Sequence, residues 1–218
     1  MQDYQGLRPF RTVKGTGESE IVISKSRFLG YCVPVSDEKE AQQKIAAIRK
    51  QHWEARHYCY ALRLSKERVS RSSDDGEPSG TAGMPILNVL AQNEVENVLC
   101  VVVRYFGGIL LGTGGLVRAY TKAAAAALEH AGVLTMRLCE RVTIALSYPS
   151  YHALEPVIRS YGYTTEAEYA ETVTLHCTLP SEASDDFLAM VTERTDGAAQ
   201  ILREGFVLSP YSEAVSLR

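Results

Sequence analysis

Three unlike pieces follow one another without a break from Val98 to Ala131: VLCVVVRY, then FGGILLGTGG, then an alanine-rich run. Val98 to Tyr105 is apolar on both faces and β-branched, which predicts a buried central strand. Gly107 to Gly115 holds five glycines in nine residues. Beyond them Leu116, Tyr120, Ala123, Ala124, Ala127, Leu128 and Ala131 share one helical face. Arg118, Lys122 and Glu129 share the other, and Gly132 is placed to end the helix. A strand, a glycine loop and a helix in that order set unpaired helix N–H groups beside flexible backbone, a recipe for holding an anion. Thr113 is a candidate cap. The first turns carry Arg118 and Lys122 and no acid, the reverse of the helix-dipole preference, and a bound phosphate removes that conflict. The competing reading is that the glycines admit close helix-to-sheet packing.

Named phosphate motifs fail here. Gly107 and Gly112 have the Walker A offset, but Thr113 stands where its lysine belongs. Gly112-Thr113-Gly114-Gly115-Leu116-Val117 lacks the last glycine of the dinucleotide fingerprint, and no acid lies about 20 positions on.

Elsewhere, Ile21–Ile23 and Phe28–Val35 read as strands joined by a turn over Ser24–Arg27. Ala41, Ile45, Ile48 and His52 recur at helical spacing after Ser36-Asp37, a cap signal. Tyr58–Leu64 reads as a strand, Ser70–Gly83 as a loop and Met84–Gln92 as a helix with Pro85 in its first turn. The second half alternates strand and helix patterns in the order β-α-β-β-α-β, with a strand around Tyr163–Glu166 and a hairpin turn near Glu168–Glu171 that lacks Gly or Asn. That order is the ferredoxin-like one. The expected division is a loosely attached arm over 1–16, one domain over 17–136 and a second over 137–218, with a linker near Gly132–Cys139.

The loop SDDGEPSGTAG, Ser73 to Gly83, sets Asp74, Asp75 and Glu77 within four residues, and Thr81 follows. Three such carboxylates suit Mg²⁺, although EF-hand spacing is absent and an ordinary surface turn is the stronger reading. His57 and Cys59 share a strand face and point in parallel, so a structural pair is favoured over a Cys–His nucleophile. Arg56, Tyr58 and Tyr60 form a basic and aromatic row on the other face, of a kind that stacks bases and touches phosphates.

The five cysteines are scattered, with no CxxC pair, so neither a disulfide framework nor a zinc site is expected, and a reducing cytoplasm fits. Met1 opens a mixed polar stretch and the longest apolar run, Val98–Val103, is too short to span a bilayer, so no membrane role is expected. The net charge of −3 is unevenly divided. Residues up to 136 carry 17 Lys and Arg against 14 Asp and Glu, and the remainder 6 against 12. A polyanion would therefore meet the first half.

Taken together, SKSRF at Ser24, ARHYCYA at Ala55, SDDGEPSGTAGMPIL at Ser73 and VVVRYFGGILLGTGGLVRAY at Val101 resemble the IMPACT family in its bacterial, YigZ-like form. The resemblance covers roughly residues 20–131, and the tail resembles the second domain of bacterial members. It implies an α+β chain: a left-handed βαβ domain akin to domain IV of elongation factor G and to GHMP-type kinases, then a ferredoxin-like βαββαβ domain akin to domain V of that factor. It implies binding to RNA or the ribosome, and a role in regulating translation. The partner-binding domain of eukaryotic members has no counterpart here, so their kinase-restraining role is not carried over. The family's motif positions fall on Arg27, Arg56, His57, Asp74, Asp75, Glu77, Thr81, Arg104, Tyr105, Gly107, Gly108, Gly112, Thr113, Gly114, Gly115 and Arg118, which are expected to gather around one groove. The first functional expectation is a phosphate-recognising, non-enzymatic RNA or ribosome binder that uses Arg104, Arg118, Lys122 and the amides of Gly112–Gly115. The alternatives are a phosphoryl-transfer or phosphoester enzyme with Mg²⁺ on Asp74, Asp75 or Glu77, and a protein-interaction adaptor.

Overall fold

The computed structural model describes residues 6–66, 68–161 and 164–211. It divides into two compact units, one of Phe10–Leu134 and one of the residues before Phe10 together with the chain from Thr135 onward. The first unit contains β1 (Phe10–Val13), β2 (Gly17–Ile23), β3 (Ser26–Pro34), α1 (Glu38–Gln51), β4 (His57–Leu64), β5 (Val69–Ser73), α2 (Gly83–Gln92), β6 (Val98–Tyr105) and α3 (Gly112–Ala131). Its sheet runs β2-β3-β6-β4-β5, antiparallel at every pairing. As expected of a run apolar on both faces, β6 is central, and Val98 to Val103 are all buried. One face packs Cys32, Cys59, Cys100 and Val102 against α2 and α3; the other packs Tyr31, Tyr58, Leu99 and Val101 against Ala41, Ile45 and Ile48 of α1.

Local signals account for several elements. Asp37 caps α1 by accepting from the Glu40 amide at 2.7 Å, while Glu40 reaches back to the Ser36 amide at 2.9 Å, so two orphan donors are satisfied together. The turn between β2 and β3 is tighter than the four residues expected: Ile23 pairs with Ser26, and Ser24 and Lys25 both have positive φ. α3 lies close on the sheet because Gly17 and Gly30 leave room for it. A Cβ at Gly17 would sit 2.2 Å from the Ala127 carbonyl, and one at Gly30 would sit 2.7 Å from that of Ala123.

Three expectations differ. Residues 10–13, expected in an arm, form β1, where Val13 is buried and the Arg11 carbonyl accepts from the Glu96 amide at 2.8 Å. Residues 69–73, expected mostly in a loop, extend the sheet as β5 against β4. Residues 133–139, expected in a linker, belong to a strand.

That strand, β7 (Val133–Leu146), opens the second series, followed by α4 (Tyr148–Tyr161), β8 (Thr164–Tyr169), β9 (Val173–Pro180), α5 (Ser184–Arg194) and β10 (Gln200–Tyr211). Pairings place these strands in the order β10-β7-β9-β8, all antiparallel. The expected strand start at Tyr163 lies outside the described residues. The hairpin between β8 and β9 turns at Ala170–Thr172, held by the Ala170 amide on the Thr172 carbonyl. Inward residues of β7 and β9 pack with Leu154, Ile158, Phe187 and Val191 of α4 and α5. Glu140, nearly fully buried, is held by both a 2.6 Å and a 2.8 Å bond from Arg203. Among the described residues no helix is long and apolar enough to cross a membrane.

Candidate functional site

Because β6 is antiparallel to both β3 and β4, its C-terminal end lies beside their first residues. Arg104 is in register with Phe28 on one side and His57 on the other, and Tyr105 with Arg27. The end of α1, the loop over 74–82 and the start of α3 reach the same edge. The four motifs therefore meet there, but largely to hold one another.

The acidic loop shows this most plainly. Asp74 accepts from the amides of Gly80 at 2.8 Å, Ala82 at 2.9 Å and Gly83 at 2.8 Å, and so serves as the side-chain cap that α2 lacks at its own N-cap residue, Ala82. Burial opposes its ionisation, but those three amides outweigh burial and hold the carboxyl below its ordinary range. Asp75 accepts from the Tyr58 amide at 2.7 Å and pairs with Arg49 at 2.6 Å, and its carbonyl accepts from His57 Nδ1. Thr81 is buried, with its hydroxyl on the Pro78 carbonyl. The carboxylates proposed for Mg²⁺ thus face separate internal partners, and the described residues contain no His, Cys, Asp or Glu cluster able to hold a metal ion.

Glu77 goes deepest. Its carboxylate accepts from Arg104 Nη1 at 2.6 Å and from the Tyr120 hydroxyl at 2.8 Å, with the two charged side chains only 4% and 6% exposed. The Arg104 guanidinium lies 5.4 Å from the Phe28 ring centre and 5.5 Å from that of Phe106, and its Nη2 reaches Ser26 Oγ. Only Nε, buried, has no partner. Arg104, expected on a bound anion, is instead the inner half of a desolvated ion pair: neighbouring strands and α3 cover it, and Glu77 neutralises it. Cys59 donates to the Asp74 carbonyl at 2.9 Å and lies 3.4 Å from the Tyr120 hydroxyl. Burial pushes its thiol up to about 12, which favours the structural reading of His57 and Cys59 over the nucleophilic one.

The other candidates divide between frame and surface. Gly107 allows contact: a Cβ there would lie 2.0 Å from the Lys25 carbonyl carbon, and its amide donates to Ser26 Oγ at 3.1 Å. Gly108 has positive φ. Gly112 has φ +67 with nothing near its missing Cβ, so it serves chain direction and not packing. Thr113 does not cap α3; the helix begins one residue earlier, the N-cap residue is Leu111, and no side chain accepts from its first amides. Gly112, Thr113 and Gly114 are exposed and Gly115 is half-buried. Arg118 folds back so that Nη1 lies 3.6 Å from where a Gly114 Cβ would sit, and Lys122 is exposed a turn further on. Around this open helix end stand Phe106, Ile109, Leu110 and Val117, all unusually exposed for apolar residues, with Leu110 at 86%. The row of Arg56, Tyr58 and Tyr60 is broken up. Tyr58 is buried under α1, its hydroxyl donating to the His52 and Ala55 carbonyls, and Tyr60 packs against the same core, leaving Arg56 exposed.

Sequence reasoning missed Ser26, Tyr120 and the cluster of His52 with Tyr31 and Tyr105. His52 Nε2 lies 2.6 Å from the Tyr31 hydroxyl and Nδ1 3.0 Å from that of Tyr105, over which Arg27 rests at 5.4 Å. Burial, then the Arg27 charge, push His52 below its ordinary range, so the neutral ring donates on one side and accepts on the other. Arg27 itself pairs with Glu20.

Comparison with known proteins places this arrangement. The Impact N-terminal domain matches residues 24–128, and a domain of unknown function, DUF1949, matches residues 144–198. IMPACT family member YvyE of Bacillus subtilis is 40% identical over 91% of this chain and 92% of its own. The chain belongs to the IMPACT family. IMPACT family member YigZ of Escherichia coli is 34% identical over 83% of this chain and 90% of its own. A crystal structure of a hypothetical protein matches 90% of this chain and 97% of its own length, at 30% identity and a TM-score of 0.58. The IMPACT match opens at the β2–β3 turn and closes within α3, so it contains the four motifs that meet at the sheet edge, though not Glu20, the partner of Arg27.

Proposed function

We propose that this IMPACT family member works in the regulation of translation by gripping phosphates of structured RNA or the ribosome at the start of α3. The observation that carries this reading is the helix end itself: exposed amides at Gly112–Gly114, no side-chain cap, no acid in the first turn, and Arg118 folded over it. Helix-end partial charge and a guanidinium then act on the same anion. Arg104, Glu77 and Tyr120 are the frame beneath, and Ser26 holds the loop to the β2–β3 turn. Arg27, Arg56, His57 and Tyr105 border this site; both arginines are exposed, Arg27 paired with Glu20 and Arg56 without an ion-pair partner among the described residues. The kinship with the translation factor's domains IV and V is supported by α1 joining parallel strands β3 and β4 across β6, and by the ferredoxin-like order β10-β7-β9-β8. Against the phosphoryl-transfer reading stands the commitment of Asp74, Asp75 and Glu77 to partners within the fold.

A protein partner is the second reading, favoured by the exposed Phe106, Ile109, Leu110 and Val117 beside the helix end. RNA affinity measured by fluorescence anisotropy across a salt series tests the first. Affinity should fall steeply with salt, and Arg118→Ala with Lys122→Ala should flatten the slope of log K against log salt by about 1.4 for a single strand. Absent or salt-insensitive binding refutes it, and partners that survive ribonuclease in affinity purification favour the second.

A further inference from the structure

We infer that Trp53, at the end of α1, is a base-stacking contact for single-stranded RNA that reaches the same sheet edge from the opposite face to α3; the inference rests on the RNA reading above. Trp53 is 75% exposed, whereas the other aromatic side chains near it are drawn into the fold. It is also rigidly mounted. The preceding His52 is fixed at its ring by Tyr31 and Tyr105, at its amide by the Ile48 carbonyl at 3.0 Å, and at its carbonyl by the Tyr58 hydroxyl and the Ala55 amide. The backbone on both sides of Trp53 is thereby held, so binding has to order only the two side-chain torsions of the indole.

Charge identifies the ligand class. In the stretch RKQHWEAR, Arg49 to Arg56, Glu54 is the single acid. Arg49 is committed to Asp75, but Lys50 and Arg56 have no ion-pair partner among the described residues and are exposed. A flat aromatic face between free cations suits a strand whose bases stack while its phosphates meet the charges, and it suits every base because each has a π-face. The bases of a duplex are already stacked and cannot use it. Arg27 rests over Tyr105, whose hydroxyl is bonded to His52 beside Trp53, so a strand crossing the edge also meets a cation–aromatic pair.

Trp53 is the chain's only tryptophan, so its emission reports this site alone. The full-length protein is titrated with a 12-nucleotide oligouridylate. Emission and the anisotropy of a labelled copy are followed together, for wild type, Trp53→Ala, Trp53→Phe and Lys50→Ala/Arg56→Ala. Expected are quenching that saturates with the anisotropy, about a 5- to 100-fold loss of affinity for Trp53→Ala, substantial rescue by phenylalanine, and a shallower salt slope for the double variant. Unchanged emission with saturating anisotropy, or Trp53→Ala binding like wild type, overturns the inference and leaves the RNA reading standing. Absence of any anisotropy change with the oligouridylate overturns the inference, and absence of binding to a labelled structured RNA hairpin in the same assay overturns both.

Discussion

Glu77→Gln should destabilise the first unit far more than a one-atom change suggests. The substitution preserves shape and leaves an acceptor for Tyr120, but it removes the carboxylate bonded to an arginine that is 6% exposed. Breaking a buried pair by neutralising one member leaves an uncompensated charge in low dielectric, at a cost of about 3–5 kcal/mol. For a unit of this size that is a fall in Tm of roughly 10–20 °C. Adding Arg104→Met removes the stranded charge and keeps most of the side-chain volume between Phe28 and Phe106, so the double variant should recover at least half of the loss. Urea unfolding by circular dichroism measures the cycle, with hydrogen exchange at β6 assigning the change to the first unit. Refutation would be a loss under about 1 kcal/mol for Glu77→Gln, or a double variant as unstable as the two single losses added together, since either result means the pair is not coupled and desolvated. The same cycle separates frame from surface. Arg104 variants should change RNA affinity only as they unfold the protein, whereas Arg118→Ala should change affinity with Tm held within about 2 °C.

Gly107→Ala should cost at least about 2 kcal/mol, because its methyl meets the Lys25 and Ser26 backbone, while Gly112→Ala should cost about 1 kcal/mol through its positive φ alone; thermal denaturation ranks them. Asp74 is held below its ordinary range in the folded chain, so its stabilising contribution is complete above the unfolded value near pH 4 and is lost as pH falls through the folded one. Urea midpoints should therefore drop below about pH 4, and Asp74→Asn should be weaker at neutral pH with a smaller acid decline. All five cysteines are free and buried. A chromogenic disulfide reagent at pH 8 should label none rapidly without denaturant, and fast labelling of Cys59 would contradict its raised thiol.

Much of the fold was legible because the signals were local. The double-faced apolar run fixed β6 at the centre, Ser36-Asp37 fixed the start of α1, and the Ala/Leu face fixed α3 and its end at Gly132. The strands that escaped, β1, β5 and the start of β7, share a different property. FRTV, VSRSS and VLTMRLC carry little alternation of their own and are strands because a neighbour supplies hydrogen bonds, as β4 does for β5. The convergence of the motif positions on one sheet edge was legible, whereas the roles of Arg104 and of the acidic loop were misread. Arg104 and Glu77 are 27 residues apart, and only the register of β6 against β3 and β4, with the loop folded back over it, makes the arginine an ion-pair partner in place of a free cation. Trp53 gave no pattern at all, since one exposed aromatic at a helix end looks like any other surface residue until its neighbours are seen to hold it.

A modest net charge is a poor guide to what this edge can attract. Arg27 with Glu20, Arg49 with Asp75, Arg71 with Glu38 and Arg104 with Glu77 cancel in pairs within the first unit. Among the cations without ion-pair partners in the described residues, Lys25, Lys50 and Arg56 stand on or beside the turns and helix end at this edge of the sheet, and Arg118 and Lys122 follow on the exposed face of α3. Screening over about 8 Å at physiological salt means that a ligand responds to those nearby charges and to the α3 amides, not to acids on the far side of the domain. If that is the working surface, Lys25→Glu in the β2–β3 turn should weaken RNA binding about as much as Lys122→Glu, although 97 residues separate them, and both should leave Tm nearly unchanged. A reversal confined to Lys122 would restrict the anion site to α3 and detach the turn from it.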